Sequence, residues 1–230
     1  LSVVGLSAVA QDARRKGGNQ GQDPRVRDPG NGAQQGPPPL SNASLKGVHA
    51  NGGIMLQDGD QAGVIPIDRS TEIIINGEAD ASFVTPGALV EVSGTLEGPR
   101  GPISSAYVVV LRSPVKNAAT NPRLQSCLNI NPPKPGENRP TNALIRGPVV
   151  SANPLVVAAG NQKMPIRLDN SPHYIMEIVG GDPRTLCKEG DKVDVTFQPV
   201  QGRSAAVART IVIRRTDPFN AGKDDLAGKD

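Results

Sequence analysis

The chain has no tryptophan, and its 230 residues include only two tyrosines and three phenylalanines, which excludes one large core built on aromatic rings. Burial must come from Val, Ile, Leu and Ala. That inventory suits two small aliphatic cores, each marginal in stability because a small domain buries a smaller share of its surface. No apolar run approaches the roughly 20 residues of a membrane-spanning helix, so no transmembrane segment is expected. Charge of one sign is also missing as a block: 25 basic and 22 acidic residues leave a net +3. A protein that neutralises several phosphates concentrates its basic residues on one face or run. The nearest run, Arg14, Arg15 and Lys16, is diluted by Asp12, Asp23 and Asp28. His49 and His173 belong to no His-x-x-x-His spacing, and the two cysteines form no Cys-x-x-Cys, so neither a metal site nor a cofactor is implied.

Small apolar residues, proline and glycine are plentiful. Residues 1–10, LSVVGLSAVA, end in Ala8-Val9-Ala10, the small-x-small pattern that precedes a signal-peptidase cut. They read as the rear part of a signal peptide, with a mature end at Gln11 and an exported, periplasmic or extracellular, destination. Residues 11–43 follow as a disordered leader, with Val26 and Leu40 almost its only large apolar side chains and Pro37-Pro38-Pro39 as a stiffer end. The stretch after Thr216, residues 217–230, has the same polar character and reads as a disordered tail.

Between these ends the sequence resembles itself at a period of about a hundred residues. Leu45-Lys46-Gly47 answers to Ile145-Arg146-Gly147, and Ile65-Pro66-Ile67 to Met164-Pro165-Ile166. Gly87 to Val92 matches Gly190 to Val195, and Val108 to Arg112 matches Ile211 to Arg215. The repeat divides the chain into a β-module at 44–113, a Pro- and Asn-rich connector at 114–142 and a second β-module at 143–216.

Within each module the apolar runs are short, rich in β-branched residues and bounded by Gly, Asn or Asp, which is how strands and turns read. Strands are predicted near 45–50, 53–58, 63–67, 72–76, 88–96 and 105–112. Alternation puts Val90, Val92 and Leu96 toward a core and Glu91, Ser93 and Thr95 outward, and likewise Val193, Val195 and Phe197 inward with Asp194 and Thr196 outward. A helical turn precedes the last two strands of each module. Asp80 and Asp182 suit its N-cap, Pro183 its first position, and Gly87 and Gly190 its positive-φ close, with Phe83 and Leu186 as core contacts. Asp58-Gly59-Asp60 reads as a hairpin turn before it reads as a calcium loop, since no Glu stands at the twelfth position.

Three strands, a helical turn and two more strands form the order that resembles the oligonucleotide/oligosaccharide-binding (OB) barrel, and in particular the small OB-like domains of exported bacterial proteins. The stretches carrying the resemblance are Gly87 to Thr95 and Gly190 to Thr196. It implies an all-β fold class of two tandem small OB-like barrels, each with one short helical turn, flanked by disordered termini.

An OB-like fold brings single-stranded nucleic acid and glycans to mind as ligands, but binders of single strands stack bases on exposed rings in a basic groove. Only Tyr107 and Tyr174 remain in the modules for that purpose. Arg112, Arg209, Arg214 and Arg215 offer a basic strip on the last strands, which as solvated edge charges would also discourage edge-to-edge pairing. Ser171 and His173 are near in sequence without a marked third partner, and no catalytic residue is assigned; a carboxylate site built from loops, such as those of Glu72, Asp80 and Glu97, is left open. Cys127 and Cys187 are the candidates for a disulfide, which an oxidising compartment favours. The expectation is a non-catalytic binding or assembly module of the cell envelope, its partner a protein or envelope component. The alternative is a binder of single-stranded nucleic acid or acidic glycan through the arginine strip.

Overall fold

The computed structural model describes residues 38–50, 52–98, 101–114, 120–198 and 207–220. The fold is all-β, and the described residues hold twelve strands in one hydrogen-bonded sheet. In chain order they are β1 (Leu40–Val48), β2 (Gly53–Asp58), β3 (Gln61–Pro66), β4 (Glu72–Glu78), β5 (Leu89–Leu96) and β6 (Ile103–Arg112). They continue as β7 (Cys127–Asn131), β8 (Asn142–Ala152), β9 (Leu155–Ala159), β10 (Gln162–Val179), β11 (Lys192–Gln198) and β12 (Val207–Arg214). Among the described residues helix is confined to short turns, one of them α1 (Pro183–Leu186). Among the described residues no helix is long and apolar enough to cross a membrane.

The predicted alternation holds. Val90, Val92, Val193 and Val195 are fully buried and Leu96 nearly so, in an aliphatic core shared with Ile54, Ile75, Ile145 and Ile213. The turns also form where expected. Gly59 closes the β2–β3 hairpin, and Gly87 and Gly190 take φ near +90°, a region that favours glycine. Asp182 caps α1 by accepting a hydrogen bond from the Arg184 N–H at 2.9 Å, and the Arg184 side chain holds its carboxyl below the usual carboxylate range. Asp80 occupies the matching N-cap of the turn Ala81–Phe83, but its side chain makes no capping bond there.

Which strands pair is the feature that alternation did not announce. β1, β2, β3 and β4 are joined by β11 and β12, the last strands of the chain, in the order β3-β2-β1-β11-β12-β4. β8, β9 and β10 are joined by β5 and β6, and there the pairing closes on itself as β8-β9-β10-β6-β5-β8. The strand sets of 44–113 and 143–216 thus exchange their last two strands. Matched hydrogen bonds mark the relation: Gly87 and Gly190 donate to Val149 and Leu45, while Ala79 and Gly180 donate to Tyr174 and Ile73. The two strand sets meet where β4 and β10 pair antiparallel, with Asn76 opposite Glu177.

This pairing revises two sequence matches. Leu45 corresponds to Val149 rather than Ile145, because they bond to the matching turns before β11 and β5. Ile65 corresponds to Ile166 rather than Met164: Leu45 faces Leu56 and Val149 faces Val157, which carries Gly63 onto Met164. The errors are slips of four and two residues, and a side-chain period of two looks the same after any even slip.

Three boundaries also move. The leader expected to run to residue 43 gives way to β1 at Leu40, where Ala43 is buried against the core. The connector expected at 114–142 contains β7, which pairs with β8. The tail expected from 217 is anchored at Phe219, which is fully buried, bridges Ala79 and donates its N–H to the Glu78 carbonyl at 2.7 Å. The Arg215 guanidinium lies 4.0 Å from the centre of that ring. The expected signal segment and residues 11–37 of the leader lie outside the described residues.

Candidate functional site

Register places charged and apolar side chains in rows across the sheet. One row runs Cys127–Arg146–Glu91–Val109–Ile175–Glu78 over β7, β8, β5, β6, β10 and β4. The next includes Leu89–Leu111–Glu177–Asn76–Arg214. Both project from the outer face, since the intervening row holds buried Val90, Val110 and Met176.

Across this face lies the segment 120–126, where Asn121 caps the turn Pro122–Leu124 by accepting from the Arg123 N–H. An ion pair and a hydrogen bond hold it down. Arg123 meets Glu177 at 2.7 Å, and Arg146 pairs with Glu91 while its Nη1 donates to the Pro122 carbonyl at 2.9 Å. Between them opens a cleft of about 340 Å³, floored by Val109 and Leu111 and walled by Glu91, Arg123, Arg146 and Glu177. Two residues along β6 from Val109, Tyr107 is half exposed and stacks on His173, with ring centres 5.3 Å apart and 21° between planes. His173 lies within β10 opposite Tyr107.

A second, more open cleft of about 480 Å³ runs along the β5–β8–β7 end of the sheet. Ser93, Thr95, Asn129, Asn131 and Asn142 line it without a charged group.

The arginines of the expected basic strip do not share one surface. Arg214 pairs with Asp194 at 2.6 Å and donates to the Asn42 side chain, Arg215 covers Phe219, and Arg112 lies 5.6 Å from the Phe83 ring. Arg209 is exposed on β12, and β4 and β10 separate β12 from Arg112 on β6. Tyr174 packs against the core, leaving Tyr107 as the exposed ring of the pair.

Cys127 and Cys187 stand as free thiols, on β7 and at the C-cap of α1. Burial, and then the nearby Asp191 carboxylate, push the Cys187 thiol up to about 12. Asp191 itself is fully buried and accepts hydrogen bonds from the Lys188 and Thr216 N–H groups and the Thr216 hydroxyl. Glu72 and Asp80 stand eight residues apart along β4 and its exit, about 26 Å in extended chain, and so do not converge. Glu97 is engaged by Ser104 and by Arg167 at 2.6 Å. Among the described residues no three His, Cys, Asp or Glu side chains gather as metal ligands.

The cleft residues Arg123 and Arg146 were not singled out by the sequence. Arg146 was legible only as part of a repeat match, and Arg123 lies in what reads as a connector. Comparison with protein-family models, curated proteins and solved structures returns no match to this chain.

Proposed function

We propose that this chain is a non-catalytic, exported binding or assembly module, built as two OB-like units that share strands, and that it engages a protein or envelope partner through the outer face of β6 and β10. The closed five-strand ring, entered by a helical turn, supports the OB-like part of the reading. The observation that carries the binding part is the cleft itself. Val109 and Leu111 form an apolar floor, two arginines and two glutamates rim it, and a half-exposed tyrosine stands one row away. Protein interfaces are enriched in tyrosine and arginine around a desolvated centre. Equal numbers of the two signs suit a mixed protein surface better than a polyanion, whose binding rests on unpaired cations.

A photo-crosslinking residue at Val109 of the full chain, used in envelope extracts, tests this. One discrete crosslinked partner is expected. Excess unlabelled chain suppresses it, while excess Tyr107→Ala or Arg123→Ala chain does so at least about tenfold less well. Salt-sensitive binding of single-stranded DNA, RNA or an anionic glycan, lost on replacing Arg112, Arg214 and Arg215 with Ala, would replace this reading with that of a polyanion binder.

A further inference from the structure

We propose that two copies of this chain join edge to edge through β7, antiparallel about a two-fold axis at Asn129. The proposal gives the assembly reading a specific form and rests on it. β7 ends the sheet: it pairs with β8 on one side, and none of the described strands pairs with it on the other. Proteins commonly guard such an edge with charge, proline or a bulge, because its free N–H and C=O groups template further pairing. β7 reads Cys-Leu-Asn-Ile-Asn and holds none of these within its five residues. β3, at the other end of the sheet, carries Pro66, which has no N–H to offer.

The occupant is a second copy because of what a two-fold axis requires. Every side chain near the axis meets its own kind or its mirror position, so a charged edge repels itself and a neutral one does not. Pairing about Asn129 sets Leu128 opposite Ile130 of the other copy, Asn129 opposite Asn129, and Cys127 opposite Asn131. The faces then match. Leu128 and Ile130 pair in register with Ile145 and Ala143, both buried, so they lie on the core face. Leu128 already packs against the core there, whereas Ile130 is left 47% exposed. Asn129 and Asn131 share the opposite face with Asn142, Ser93 and Thr95. An apolar pair therefore forms on one side and an amide pair on the other, and the neutral cleft becomes continuous across two copies. The charge in the adjoining row, Arg146, is already neutralised within its own copy by Glu91. Pro132 and Pro133 limit the join to these few residues. The same kind of antiparallel contact unites the two strand sets of one chain at Asn76 and Glu177.

The test uses the full chain. Sedimentation velocity is expected to show a concentration-dependent dimer, and Ile130→Lys, which sets an ammonium on each side of the axis, is expected to raise its dissociation constant at least about tenfold. An unchanged circular dichroism spectrum and Tm show that this variant is folded. With Cys127 and Cys187 replaced by Ser, Asn129→Cys is expected to form a covalent dimer under mild oxidation, because residues facing each other at the axis come within disulfide reach. Ile130→Cys, which faces Leu128, is not. A monomer at all concentrations with no Asn129→Cys crosslink overturns the proposal, as does a dimer that Ile130→Lys leaves intact. A monomeric chain that still captures a partner at Val109 removes this join and leaves the binding reading standing.

Discussion

Asp191 shows how one side chain can hold two segments in place. Its buried carboxylate fastens the turn at Lys188 to the chain leaving β12 at Thr216. Asp191→Ala would take the acceptor from three part-buried hydrogen bonds, and a loss of about 1–3 kcal/mol is expected, measured by urea unfolding at neutral pH. Cys187, beside it, makes a pH prediction. Its thiol is raised from 9.0 to about 12, so the stability it contributes is complete below the ordinary thiol value and is withdrawn as pH rises from about 9 toward 12. At pH 8, Cys187 in the folded chain should react with iodoacetamide far more slowly than it does after denaturation, read by mass spectrometry of the labelled peptides. Fast labelling in the folded state would contradict the burial described here.

At the scale of the strand, much was legible and some was not. Short β-branched runs between turn residues located six strands of the first repeat, five of them within two residues of their ends and β1 five residues late at its start, and the two turn glycines took their positive φ as expected. β7 escaped notice because its five residues include two asparagines and a single β-branched side chain. Phe219 escaped because one aromatic in a polar stretch gives no period. Arg123 owes its place in the cleft to how segment 120–126 lies across the sheet, which spacing along the chain does not reveal. A strand's role can also hang on a close approach. At Gly147 of β8 an added Cβ would sit 1.6 Å from the Ala158 carbonyl oxygen, where β8 passes from its partner β5 to its partner β9. Gly147→Ala therefore forces backbone apart at the bend that closes the ring. A drop in Tm of at least about 10 °C is expected, consistent with a cost of a few kcal/mol, and a Tm within about 2 °C of the parent would show that the bend has slack.

For the whole molecule, the repeat was visible but the exchange was not. Alternation states which side of a strand is buried and is silent on which strand lies beside it. Because β1 to β4 are completed by β11 and β12, and β8 to β10 by β5 and β6, neither half of the chain holds a full set of partners. A fragment ending at residue 114 and one beginning at residue 120 should each be largely unfolded alone by circular dichroism and amide exchange. Mixed from denaturant, they should recover the β-sheet spectrum of the intact chain. Two fragments that fold separately would refute the exchange.

The exchange also sets a timetable for the growing polypeptide. β5 and β6 find their partners as soon as β8 to β10 emerge, but β4 must wait for β12, which begins at Val207. At the roughly 5–20 residues per second of synthesis, β4 stands without that neighbour for about 7–28 s, longer than a hairpin takes to form by many orders of magnitude. The first strands made are the last to be enclosed, so throughout that interval the nascent chain presents open strand edges. Holding them apart from other chains is a task for whatever accompanies the polypeptide before its final strand arrives.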